Sequence, residues 1–283
     1  MTGGTVVEEP EGDVRTTWQR WYSVLTTFVA PATFLSALLF YFGYVSSRAE
    51  LRYFGLDVDT VGLSTQDFVM RSPQALLVPV LLLTVAGAAV LVALRALRDR
   101  PLGSRAVRAS YGIAGVLLGS AVVLLAGYRW LGGWPAYPMV TPLLLVAGLS
   151  VLAYLWHRRR AGAGAVTFAL LGVATGLFWA TTTLAQWTGT GVAHRTARHL
   201  DRLPSVVLDT KDRLFLGDGV VTESAVPPHE GQQFLYRYRG LRLLIQAGDR
   251  MFVVPERWVA SGSTTMVPMD DVRVRFRFVN DPP

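Results

Sequence analysis

Residues Val166–Leu184 read VTFALLGVATGLFWATTTL, without a single Asp, Glu, Lys, Arg or His. A helix needs about 20 mostly apolar residues to cross the hydrocarbon core of a bilayer, and a run this long and this free of charge is a membrane span. Four runs of the same character precede it: Trp21–Val45, Leu76–Leu94, Tyr111–Tyr128 and Met139–Trp156. Aromatic residues gather at their ends: Trp21, Tyr22, Tyr41, Tyr44, Tyr128, Trp130, Trp134, Tyr137, Tyr154, Trp156 and Trp187. Rings with one apolar and one wet end settle at the bilayer interface. The expectation is a five-span α-helical bundle.

The composition agrees. Of 283 residues, 51% are hydrophobic and only 17% charged, whereas soluble domains carry about 25% charge. That excludes a purely soluble globular enzyme. Cysteine is absent, so disulfides, thiolate metal sites and cysteine nucleophiles are excluded as well.

The net charge of +7 comes from 27 basic and 20 acidic residues, and its placement sets orientation. Arg15 and Arg20, then Arg95, Arg98, Arg100, Arg105 and Arg108, then Arg158, Arg159 and Arg160 fall on one side of the expected spans, ten arginines in all. The opposite short loops hold four: Arg48, Arg52, Arg71 and Arg129. Basic loops stay in the cytoplasm, which places the N-terminus inside and, after five spans, the C-terminal region outside. The first span is longer than a signal-peptide core and lacks a small-x-small cleavage site, so it reads as an uncleaved signal anchor of a multi-pass cell-membrane protein. The soluble C-terminal region, Pro204–Pro283, balances ten bases against ten acids. A nucleic-acid partner needs a folded basic face inside the cell, and none is expected.

The expected domains are a disordered cytoplasmic N-terminus over 1–20, the five-helix membrane domain over 21–187, a juxtamembrane helix or linker over 188–202, and a small, mostly-β extracytoplasmic domain over 203–283. In the last, strands are expected at Ser205–Leu208, Arg213–Leu216, Val220–Val226, Gln233–Tyr238, Leu241–Ala247, Arg250–Val254, Thr264–Val267 and Val272–Val279. Turns at Gly217-Asp218-Gly219, Arg239-Gly240 and Gly248-Asp249 separate them. The period-two pattern is clearest in Val272–Val279, where Val272, Val274, Phe276 and Phe278 alternate with Arg273, Arg275 and Arg277. If the strands holding Arg237 and Arg273 are neighbours, then Arg237, Arg239, Arg273, Arg275 and Arg277 make a basic patch, with Arg242 and Arg250 near it. Such a patch suits phosphate or carboxylate groups through bidentate contacts. The alternative is a solvated face paired with Asp270, Asp271, Glu223 and Glu230.

The longest connection between spans, Ser47–Ser72, carries Ser64 three residues before Asp67, the spacing of a helix N-cap, with a short surface helix expected from Thr65 to about Arg71. Asp57, Asp59 and Asp67 lack the ligand spacing of a calcium loop. Phe54-Gly55-Leu56-Asp57, Gly62-Leu63-Ser64-Thr65-Gln66-Asp67-Phe68 and Arg71-Ser72 together resemble a segment of actinobacterial multi-pass membrane proteins of unknown function. The resemblance covers about twenty residues; it implies a membrane location and carries no catalytic role.

Within the spans, Gly115-x-x-x-Gly119 and Gly172-x-x-x-Gly176 permit close helix approach, with intramolecular packing preferred to a homodimer face. Pro31, Pro79 and Pro142 predict mild kinks. Thr181, Thr182, Thr183 and Gln186 make one end of the fifth span polar, which fits a shallow vestibule or hydroxyls bonded back to the helix. His157, His194, His199 and His229 are scattered, and no nucleophile elbow, phosphate-binding Gly-Lys-Ser/Thr loop or His-Glu-x-x-His pair occurs. The sequence therefore points to no catalytic residue, metal or cofactor. It describes a non-enzymatic membrane protein presenting an outer β domain to a protein partner, lipid headgroups or an anionic wall polymer. The alternative is a channel or transporter subunit capped by that domain, although no ionisable residue lies within a span to couple ion movement.

Overall fold

The computed structural model describes residues 29–98, 103–160, 162–216, 219–227, 233–259, 262–270 and 272–278. The N-terminal segment with Arg15 and Arg20, and the start of the first expected span with Trp21 and Tyr22, lie outside them, as do Arg100, His229, Glu230 and Asp271.

The helices are α1 Ala30–Tyr53, α2 Val58–Val61, α3 Thr65–Arg98, α4 Ser104–Ala126, α5 Tyr128–Leu131, α6 Tyr137–Arg158 and α7 Ala163–Arg198, followed by a 3₁₀ turn Leu200–Arg202. Three of them, α4, α6 and α7, are long and apolar enough to cross a membrane. Thr65–Leu77 and Pro79–Ala89, bent by 42°, make a fourth if counted as one span. Large apolar side chains such as Val116, Val123, Phe168 and Leu171 stay exposed along these helices, as expected where lipid replaces water as the solvent. Helix α1 runs eight residues beyond the expected end at Val45, through Arg48, Glu50 and Arg52. The short surface helix expected after Ser64 is instead the first turns of α3, continuous to Arg98. The juxtamembrane helix or linker expected over 188–202 is mostly helical, the last three turns of α7.

Prolines inside these helices free carbonyls four residues back, and two of those carbonyls find hydroxyls. The Ser72 hydroxyl donates to the Val69 carbonyl at 2.7 Å, compensating Pro73. The Thr183 hydroxyl of α7 donates to the Pro138 carbonyl of α6 at 3.2 Å, compensating Pro142 and tying the two helices together. The bend falls at Pro79, as the sequence predicts.

Helices α6 and α7 pack antiparallel through small residues. A Cβ on Gly176 would meet Val146 Cγ2 at 2.7 Å, and one on Gly172 would meet Leu149 Cδ1 at 2.5 Å. The second pair expected to pack, Gly115 and Gly119, meets nothing within 4 Å among the described residues. On α4 the buried residues are Ala114 and Ala121, and the close approach comes from the partner helix, where Gly148 faces Leu118 and Leu117. Two turns of a helix return a residue to the same face, so the 114/121 stripe and the 115/119 stripe point in different directions. The tightest contacts involve α1. A Cβ on Gly43 would lie 1.9 Å from the Phe68 carbonyl oxygen of α3, and one on Gly189 of α7 would lie 2.1 Å from the Ser46 carbonyl oxygen of α1. The first and last helices of the bundle are thus neighbours, running parallel.

The β domain is a six-stranded antiparallel sheet: β1 Ser205–Thr210, β2 Thr222–Ala225, β3 Tyr236–Ala247, β4 Arg250–Pro255, β5 Thr265–Pro268 and β6 Val272–Arg277. The order is β5-β4-β3-β1-β6, with β2 also on β3. Arg213–Leu216 is not a strand. The expected turn at Arg239-Gly240 is absent too: Gly240 takes φ +84° inside one continuous strand β3, where a side chain would press to 2.8 Å from the Val220 carbonyl oxygen. The turn signal in the sequence is a bulge in the structure.

Each sheet face has its own work. One face closes over Val206, Leu208, Tyr238, Leu241, Met251, Val253 and Val267. The other meets the helical bundle. Ile245 and Phe252 pack with Leu51, Val58, Val61 and Phe68; Val254 and Trp258 pack with Phe54, Ala193 and Leu200. The Thr264 hydroxyl donates to the Phe54 carbonyl at 2.7 Å. The seat for the sheet is therefore the connection between α1 and α3. Asp57 caps α2, Gly62 closes it with φ +76°, and Ser64 and Asp67 cap α3 reciprocally, the Asp67 carboxylate accepting from the Ser64 backbone N–H at 2.8 Å. Several aromatic and branched side chains buried here, each worth about 2 kcal/mol, fix the domain to the helix ends.

Candidate functional site

Alternation along β1 sends Val206 and Leu208 into the domain core and leaves Asp209 on the opposite face. Asp209 lies opposite Arg237 of β3 and opposite Arg273 of β6 in the two ladders. The strands carrying the arginines are therefore not neighbours, as the sequence reading supposed; β1 lies between them and contributes the counter-charge. Arg237 grips Asp209 bidentately, Nε to Oδ1 at 2.6 Å and Nη2 to Oδ2 at 3.0 Å. Arg275 reaches Oδ2 at 3.2 Å. The carboxylate side chain is only 5% exposed. The Arg237 hydrogen bonds hold its carboxyl below the usual range against the opposing effect of burial.

The five arginines named from sequence come together on this face. Arg237 and Arg275 are committed to Asp209, whereas Arg239, Arg273 and Arg277 are exposed and hold no hydrogen bond or ion pair among the described residues. Positions 273, 275 and 277 share one side of β6, so their Cα atoms stand about 7 Å apart. Arg242 stands in the same cross-strand row as Ser205 and Arg277 but is committed elsewhere. It bonds the Asp201 and Leu203 carbonyls and pairs with Glu256, clamping the 3₁₀ turn to the sheet. Arg250 pairs loosely with its neighbour Asp249 at 3.8 Å. Of the expected acidic partners, Glu223 serves Arg213 at 2.6 Å. Asp209 was not singled out from sequence; its signal was a carboxylate directly after the apolar run Val206-Val207-Leu208.

Other candidates separate. The hydroxyls of Thr181, Thr182 and Thr183 bond back to carbonyls of α7. His194 lies 4.5 Å from the Tyr53 ring. No group of three His, Cys, Asp or Glu suited to a metal ion occurs among the described residues. Comparison of the chain with protein-family models, with curated proteins and with solved structures returned no match. What fold and face define is a class: an apolar helical bundle of the membrane type carrying a docked antiparallel β domain with a basic face.

Proposed function

We propose that this chain is a non-enzymatic membrane protein of five spans, with its N-terminus in the cytoplasm, that presents the arginine face of an extracytoplasmic β domain to an anionic partner. The observation that carries the reading is the division of labour on that face. Asp209 fixes two arginines, and three others on the same surface hold no ion pair among the described residues. Arg273 and Arg277, with Cα atoms about 13 Å apart on one side of β6, and Arg239 on β3 offer spaced guanidinium groups that suit the phosphates or carboxylates of an anionic wall polymer, an acidic protein strand or packed headgroups. The orientation rests on the ten arginines against four.

Two measurements test it. Reporter fusions after Arg160 and after Pro283 are expected to read cytoplasmic and extracytoplasmic respectively; a cytoplasmic C-terminus overturns the orientation. The full chain in nanodiscs is expected to bind fluorescent polyphosphate or polyglutamate with an affinity that falls with salt. Arg239→Glu/Arg273→Glu/Arg277→Glu is expected to weaken that binding roughly a hundredfold. These three residues are the informative ones, because reversing Arg275 would also disturb Asp209. Unchanged binding by the triple variant refutes the assignment.

A further inference from the structure

Away from the sheet's arginine face, α1 and α7 leave a groove of about 700 Å³ between them, lined by Tyr41, Val45, Arg48 and Arg52 on one wall and Thr182 and Gln186 on the other. The lining of α1 runs from Tyr41 to Tyr53, or about 18 Å of helix. The groove exists because Gly189 brings the backbones together at Ser46 on one side only, and the remaining helix faces diverge from that contact.

Its polarity is graded along its length. At the end away from the sheet, Tyr41 stacks on Phe178 with centroids 5.1 Å apart, and both rings are exposed. At the end beneath the sheet stand Arg48 and Arg52, one turn apart and both exposed. Neither holds a hydrogen bond or ion pair among the described residues, and no carboxylate lines this groove. Of the nearby acids, Glu50 faces Arg71 at 3.4 Å; Asp57 caps α2 and lines an adjoining pocket with Arg48 and Arg52, without an ion pair to either. Thr182 and Thr190 donate their hydroxyl protons back to the Phe178 and Gln186 carbonyls, so the donors left to a ligand at the mouth include the two guanidinium groups and the Gln186 amide.

We propose that this groove binds one anionic phospholipid, with the phosphodiester on Arg48 and Arg52 and an acyl chain descending past Val45 toward Tyr41 and Phe178. A soluble anion would satisfy the arginines but leave the apolar half unused. A neutral hydrocarbon would leave two unpaired cations at the mouth. Only an amphiphile with its negative charge at one end matches both halves. Basic pockets between membrane helices recognise headgroups in this way.

The test uses the full chain in mild detergent, titrated with phosphatidylglycerol and phosphatidylcholine of identical acyl chains and read by native mass spectrometry. One phosphatidylglycerol is expected to bind about tenfold more tightly than phosphatidylcholine. Arg48→Gln/Arg52→Gln is expected to abolish that preference, and Arg48→Lys/Arg52→Lys to retain most of it. Thr182→Phe, which fills the groove and keeps both charges, is expected to weaken both lipids. Arg239→Glu/Arg273→Glu/Arg277→Glu is expected to leave the preference intact, which separates this site from the sheet face. Equal affinity for the two lipids, a glutamine double variant that behaves like the parent, or displacement of the lipid by millimolar inorganic phosphate would each overturn the proposal.

Discussion

Gly43→Ala and Gly189→Ala are each expected to destabilise the bundle by about 3 kcal/mol, more than any other single methyl added to it. The reason is the nature of the obstacle. The new Cβ would lie 1.9 Å from the Phe68 carbonyl oxygen in the first case and 2.1 Å from the Ser46 carbonyl oxygen in the second. A backbone oxygen within a helix cannot swing aside, so a whole helix must retreat and release the packing on either side of the contact. Gly172→Ala is milder, because its obstacle is the Leu149 Cδ1 methyl at 2.5 Å, the end of a mobile side chain. Gly115→Ala and Gly119→Ala, with nothing within 4 Å, are expected to be neutral or to gain a little from the better helix propensity of alanine. Unfolding midpoints in mixed micelles, followed by tryptophan fluorescence, rank the five variants. If Gly43→Ala is as stable as Gly115→Ala, the close contact of α1 with α3 is wrong. Because α1 is also the wall of the groove, loss of either contact is expected to release the bound lipid as well.

Removing the Asp209 carboxylate is expected to cost the β domain about 3 kcal/mol, since it leaves Arg237, only 24% exposed, facing Arg275 with no counter-charge. Hydrogen exchange is the suitable measurement. Amides of β1, β3 and β6 are expected to lose protection in Asp209→Asn, while those of α6 and α7 keep theirs. The same carboxylate dictates a pH dependence. Its folded value lies below the ordinary one, chiefly through the Arg237 hydrogen bond, and the unfolded value is about 3.9. The stabilisation is therefore complete above about pH 4 and disappears as the pH falls through the lower folded value. Wild-type sheet protection is expected to weaken in that acid range, and Asp209→Asn to lack this component. A parallel acid response in the two proteins refutes the role given to Asp209.

Much of this architecture was readable before any coordinates, and the parts that were not share a cause. Long apolar runs announce membrane helices because the bilayer imposes one length and forbids unpaired charge, a constraint local to each segment. The alternation VRVRFRFV announces a strand with one wet face for the same local reason. Helix ends were less legible: α1 continues through Arg48, Glu50 and Arg52 because the sheet and α3 pack on it there, and nothing within the helix itself signals that support. Arg239-Gly240 has the composition of a turn, yet β2 and β4 both pair with β3 and hold it extended, so glycine's positive φ becomes a bulge.

Asp209 and the glycines show where the boundary lies. The sequence by itself determined that the chain is built of apolar helices, that a small antiparallel domain follows them, and that arginines occupy one side of its last strand, because each follows from the period and polarity of a single segment. Only the tertiary structure decided that β1 separates the two arginine strands, that Asp209 neutralises part of their charge, and that Phe54–Phe68 is the seat on which the sheet rests. It alone decided, too, that Gly43 and Gly189, not Gly115 and Gly119, are the sites of closest approach. These are pairings between residues far apart in the chain; a one-dimensional pattern specifies which face a residue occupies, but not which distant face it meets.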